Sequence, residues 1–187
     1  MAIDSTRIEA AVAELLAAIG EDPARPGLVD TPSRVAQAYG EFFAGLGDDP
    51  LRHLSETMPA DAPGEVVLVR DIQFRSICEH HLLPFLGVAH IAYAPGESIV
   101  GLGALPRVVE TLAARPHLQE RLGEEIADAL QTGLAPAGVL VVLDAVHGCV
   151  TARGPRQAGS STVTLATRGT LADPVARAEV MTLLGAR

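Results

Sequence analysis

From Glu65 onward the apolar residues of this chain change period, and that switch limits the fold more than any other feature. Before it, Ile8, Val12, Leu15 and Ile19 form one helical stripe that Gly20 closes. Thr31-Pro32 opens a second helix, with Thr31 as N-cap and Val35, Tyr39, Phe42 and Leu46 as its stripe. Residues 47–63, rich in Asp, Pro and Gly, read as a linker. After the switch, 65–75 (EVVLVRDIQFR) and 86–94 (LGVAHIAYA) have strand character, and Pro95-Gly96 marks a turn. Two helices follow over 103–115 and 117–132, divided by Pro116; Leu105, Val108, Val109 and Leu112 stripe the first, and Leu118, Leu122, Ile126 and Leu130 the second. Residues 138–147 (GVLVVLDAVH) and 160–167 (SSTVTLAT) are strands again, and a short helix closes the chain after Asp173-Pro174. Strands that come in sequential pairs favour an antiparallel α+β layer over a doubly wound parallel sheet. The expected organisation is a helical arm and linker over 1–63, poor in core of its own, and an α+β domain over 64–187.

Hydrophobic residues make up 48% of the 187, so the domain can bury a core, and with 3% aromatics that core must be aliphatic. A net charge of −9 argues against a nucleic-acid or anionic-membrane partner. Every apolar run is interrupted by Pro, Gly or charge before it could span a membrane. The start of the chain carries Asp4 and Glu9 and lacks the basic opening of a signal peptide, so a cytoplasmic location is expected. All 14 basic residues are Arg.

The densest chemistry is Cys78-Glu79-His80-His81. A Cys and a His three apart in a turn can bring a thiolate and an imidazole onto one Zn²⁺, at about 2.3 and 2.0–2.1 Å. The second cysteine lies in His147-Gly148-Cys149; if that segment continues the preceding strand, His147 and Cys149 share a face. Two thiolates and one imidazole leave a fourth position for water, the mark of catalytic rather than structural zinc. A packed cysteine beside a chance histidine is the bland alternative. Against it, both cysteines of the chain sit beside histidines. His53, His90 and His117 fall in a linker, a strand and a helix start, and read as structural or surface residues.

Five stretches together carry a resemblance: DTPSRVAQAY (30–39), VRDIQFRSICEHHLLPFLGVAHIAYAP (69–95), GLGALPRVVE (101–110), ARPHLQERL (114–122) and DAVHGCVTARG (144–154). In this order and spacing they resemble GTP cyclohydrolase I of the zinc-dependent type IA, over nearly the whole chain from about Glu21. The resemblance implies Cys78, His81 and Cys149 as zinc ligands, and His80 and His147 as acid–base histidines. It implies Gln119 and Glu120 as the pair that reads guanine, and Arg34, Arg107 and Arg153 as contacts to the triphosphate. The implied reaction is hydrolytic opening of the guanine imidazole ring of GTP, release of formate, and rearrangement to 7,8-dihydroneopterin triphosphate. The implied architecture is the tunnelling fold (T-fold), with an antiparallel sheet and two helices per subunit. Sheets of several subunits join into a barrel in a homodecamer of two stacked pentamers, with active sites at subunit interfaces.

The chain departs from the family pattern where phosphate is bound. The family's GLSKLxR reads Gly101-Leu102-Gly103-Ala104-Leu105-Pro106-Arg107, so a Ser and a Lys are missing; RVAKxY reads Arg34-Val35-Ala36-Gln37-Ala38-Tyr39, so another Lys is neutral. A larger residue usually stands at Gly148. Charged hydrogen bonds contribute roughly 1.5–3 kcal/mol each, and Arg75 and Arg156 are the candidates to compensate. Two other readings stay open at this point: a paralogue doing the same ring opening on a less phosphorylated or modified purine, and a non-catalytic zinc-bound assembly subunit.

Overall fold

The computed structural model describes residues 3–60 and 65–185. Two helices precede the sheet. In α1 (Ser5–Ala18) the Asp4 side chain accepts from the Arg7 backbone N–H at 3.0 Å and satisfies one orphan donor of the first turn. In α2 (Thr31–Phe42) the N-cap is Asp30 rather than Thr31, and Pro32 stands second. Neither helix owns much core: α1 buries no residue, α2 buries Ala36, and Leu15 and Ile19 lie exposed.

The segment expected as a linker is partly ordered. Pro50–Leu54 forms a 3₁₀ turn capped by Asp49, whose carboxylate accepts from the Leu51 N–H at 2.9 Å. Leu54 is fully buried against the helix Gln119–Leu134 (α4), where a Cβ at Gly133 would collide with it. β1 (Thr57–Pro59) then pairs antiparallel with β4 (Ser98–Val100). A single turn with one buried side chain is too short to show a period, which is why the composition concealed it. The expected boundary at 63/64 lies outside the described residues.

The main sheet has the order β5-β2-β3-β6-β7, formed by Pro116–His117, Val67–Cys78, Pro84–Ala94, Gly138–His147 and Thr162–Gly169. Its neighbours are antiparallel except for the short parallel pair of β2 and β5. Period-two alternation sends Phe74 and Cys78, Phe85 and Ile91, and Val141 and Leu143 to one face. There they meet the stripes of α3 (Ala104–Ala113) and α4 (Gln119–Leu134). On the opposite face Ala92, Leu140 and Val142 pack against Leu171 and against Val180 of α6 (Pro174–Gly185). This is the expected α+β layer, an antiparallel sheet with two helices on one face, as the tunnelling fold requires of one subunit.

Two local differences bear on the site. β2 runs to Cys78, so the first candidate metal ligand ends a core strand. The chain leaves β6 at His147 and turns at once into the four-residue α5 (Gly148–Thr151). The segment therefore does not continue the strand through Cys149, and the shared-face argument for that pair fails. His117, expected at a helix start, is instead buried in β5, in register with Cys78.

Candidate functional site

Cys78 faces the helices, is 6% exposed, and begins a tight turn. Its N–H donates to the Leu83 carbonyl and its carbonyl accepts from Leu82 N–H, both at 2.9 Å. Leu82 takes a φ of +51°, an uncommon conformation for a branched residue, to close this turn. The Glu79 N–H donates to the His117 carbonyl at 3.1 Å and fixes the turn to β5. From the other side, α5 swings Cys149 toward it. The backbone passes close to β3 here: a Cβ at Gly148 would lie 2.8 Å from the Pro84 carbonyl oxygen, so the larger residue usual at this position requires a small shift of the turn.

Among the described residues, Cys78, His81 and Cys149 form a group able to hold a metal, with their ligand atoms all within 4.8 Å of one another. Burial, followed by the neighbouring Cys78 sulfur, pushes the Cys149 thiol up, while Arg153 pulls it down. Two sulfurs so close resist joint ionisation unless a cation joins them, so the donor set suits a thiophilic divalent ion. Arg153 donates to His81 Nε2 at 2.8 Å and thus stands at this group. His80 is exposed, its ring edge-on to His81 at 6.3 Å.

Beside the group, the His147 ring stacks on buried Phe85, with centroids 4.6 Å apart and planes 4° from parallel. Its Nε2 lies 2.7 Å from Gln119 Oε1. Gln119 is buried, and its Nε2 donates to the Leu143 and Thr162 carbonyls at 3.1 and 2.8 Å, with Thr164 Oγ1 at 3.2 Å. Carbonyls only accept, so the amide nitrogen must face them and Oε1 must face His147. His147 Nε2 is therefore the donor, and in the neutral ring Nδ1 keeps its lone pair. Burial holds the His147 imidazole below its ordinary value, partly offset by the Glu120 carboxylate nearby. Glu120 itself is exposed in the first turn of α4.

The remaining predicted residues are not gathered here. Arg34 is exposed on α2 and pairs with Asp30 at 3.2 Å. Arg107 lines a cavity of about 850 Å³ with His53, Arg52, Arg75, Glu110 and Thr111, and no member of the metal group lines it. Arg75 is in that cavity, over the Phe42 ring, whereas Arg156 is not among its lining residues. The pairing of Arg121 with Glu79, at 2.9 and 3.2 Å, joins two of the motifs quoted above and has no counterpart in the expected site. An Arg in the first turn of a helix, against the macrodipole, was the signal available for it.

Comparison with known proteins agrees with this geometry. The family model described as GTP cyclohydrolase I matches residues 8–185. The protein named GTP cyclohydrolase 1 of Leifsonia xyli subsp. xyli is 64% identical over 183 residues, covering 97% of this chain and 96% of that one. The protein of the same name from Carboxydothermus hydrogenoformans is 55% identical over 185 residues, covering 98% and 96%. With the match running from α1 into α6 and including every motif that builds the site, the chain belongs to the GTP cyclohydrolase I family.

Proposed function

We propose that the chain hydrolyses the imidazole ring of the guanine of GTP in a zinc-dependent reaction, releases formate and rearranges the product to 7,8-dihydroneopterin triphosphate. The observation that carries this reading is the convergence of Cys78, His81 and Cys149 beside a neutral, oriented His147, in a chain of this family. Cys78, His81 and Cys149 would hold Zn²⁺, which when bound would supply Lewis-acid activation of water for the hydrolytic ring opening.

The chain's own groups do the rest. Glu120 accepts from the guanine ring N–H and exocyclic amine, an edge that adenine lacks. Gln119, its amide already engaged, contributes by holding His147. His147 and His80 take and return protons through the hydrolytic steps near neutral pH. Arg153 meets the triphosphate near the metal group, and Arg107 and Arg34 meet it from elsewhere. Their separation from the metal group within one chain supports a site completed between subunits of a homo-oligomer, a decamer of two pentamers by the resemblance. No helix among the described residues is long and apolar enough to cross a membrane, and two free thiols fit a reducing cytoplasm.

The test is zinc content together with turnover of GTP, GDP, GMP and guanosine by the purified protein. The expected result is about one zinc per chain, with GTP preferred and converted to a fluorescent pterin with formate release. Preference for a less phosphorylated purine would overturn the substrate assignment and keep the ring-opening chemistry. Zinc without turnover of any of the four would make the chain an assembly subunit.

A further inference from the structure

We propose that Arg121 is a positioning residue whose clamp on Glu79 sets the metal turn against the first turn of α4. The distance between the ligand group and guanine-binding Glu120 is thereby fixed. The inference rests on the zinc and guanine reading given above.

Arg121 Nη1 donates to Glu79 Oε2 at 2.9 Å and Nη2 to Oε1 at 3.2 Å, a forked pair across 42 residues of sequence. Glu79 stands between Cys78 and His80, so a carboxylate anchored at both oxygens restrains the turn that carries the candidate ligands. The turn is already tied to β5 through Glu79 N–H and the His117 carbonyl. The buried His117 side chain is held in turn by the Leu118 carbonyl at 3.1 Å and by Glu125 Oε2 at 3.2 Å. These ties fix the backbone of the turn at β5. The Arg121 fork reaches past them to the helix that carries Glu120.

A guanidinium in the first turn of a helix is disfavoured by the macrodipole, so its place there needs a partner, and Glu79 is that partner. Exposed ion pairs contribute little to global stability, and Arg121 is 51% exposed. The clamp therefore acts on local geometry more than on folding. Lys cannot reproduce the fork, because an ammonium is a point donor.

Arg121→Ala, Arg121→Lys, Glu79→Gln and the double variant Glu79→Gln/Arg121→Ala test this on zinc-loaded protein. The measurements are kcat and KM for GTP, zinc release to a coloured chelator, and thermal melting. Wild-type turnover with one zinc per chain must come first; its absence breaks the underlying reading and not the clamp. Given that, Arg121→Ala is expected to lower kcat about tenfold with KM within about twofold, and to speed zinc release about fivefold. Melting should be nearly unchanged. Arg121→Lys should recover only part of kcat, and the double variant should be no worse than the worse single one. A raised KM with intact kcat would make Arg121 a substrate contact and overturn the proposal. Unchanged zinc release and kcat, or strictly additive losses in the double variant, would overturn it too.

Discussion

The metal turn and the Arg107 cavity are built on opposite plans. At the metal turn, backbone hydrogen bonds from Cys78, Glu79 and Leu82 hold the turn, and the buried amide of Gln119 holds His147. The Arg107 cavity, about 850 Å³, is lined by charges of both signs, and most of its cations are already spoken for. Arg52 pairs with Asp48 at 2.8 Å and Arg75 with Glu41 at 3.5 Å, while Arg107 has no ion pair among the described residues. On the proposed reading, the groups for bond breaking and Arg153 come together within one chain, whereas Arg107 lines a separate cavity. A chain of net charge −9 with neutral residues at 37 and 104 has little surplus positive charge to place there. Damage to the first region should therefore stop the reaction, and damage to the second should weaken one class of substrate.

The largest effect is expected from Cys149→Ala, which removes one of the three proposed ligands. Zinc and activity should be lost together, with turnover below about 10⁻³ of wild type. Tight zinc binding by this variant would show that the ligand set is wrong. Next comes Gln119→Leu. It leaves the His147 Nε2–H without its acceptor and removes the amide donor to the Leu143 and Thr162 carbonyls, in a buried to half-buried setting. A loss of about 1–3 kcal/mol in stability and about 10²-fold in kcat is expected, with zinc content unchanged. If kcat survives while stability falls, Gln119 supports the fold and not His147.

How legible these regions were in the sequence follows the same division. The paired strands, the helices over α3 and α4, and the Cys78/His81 half of the candidate ligand group could be read because each is encoded locally, by alternation, by stripe, or by Cys and His three residues apart. The turn into α5 at Gly148 could not, since a four-residue helix has no period. The Leu54 turn was hidden for the same reason. The resemblance implies Gln119 as a reader of guanine; its side-chain bonds to β6 and β7, 24 to 45 residues away, are a further feature that no local pattern announces.

The cavity gives smaller effects and a sharper test of the contrast. Arg107→Ala should raise KM for GTP about 10- to 100-fold, the equivalent of one charged hydrogen bond of roughly 1.5–3 kcal/mol. The kcat for GTP, and the KM for guanosine, should stay near wild type. Equal losses for GTP and guanosine would place Arg107 in the machinery of ring opening and erase the distinction between the two regions.

The smallest effect is a pH dependence centred on His53, which shares the cavity with Arg107. Burial holds its imidazole below the ordinary value, and the charges of Arg52 and Arg107 act in the same direction against Asp48 and Glu110. Its Nε2 lies 2.9 Å from Thr111 Oγ1. A histidine whose folded value is lowered binds fewer protons folded than unfolded, in the window between that value and about 6.5. Stability is therefore full above the ordinary value and declines as pH falls through the window. Melting temperatures of wild type, His53→Gln and Arg107→Ala, compared at pH 7.5 and 5.5, isolate this contribution, because zinc loss in acid and the like-signed shift of His147 are common to all three. The decline should be smallest in His53→Gln, and in Arg107→Ala smaller than in wild type, since one of the charges lowering His53 is gone. The differences are expected to be on the order of 1–2 °C. If Arg107→Ala declines as steeply as wild type, the two side chains do not sense each other, and the cavity is not the electrostatic unit described above.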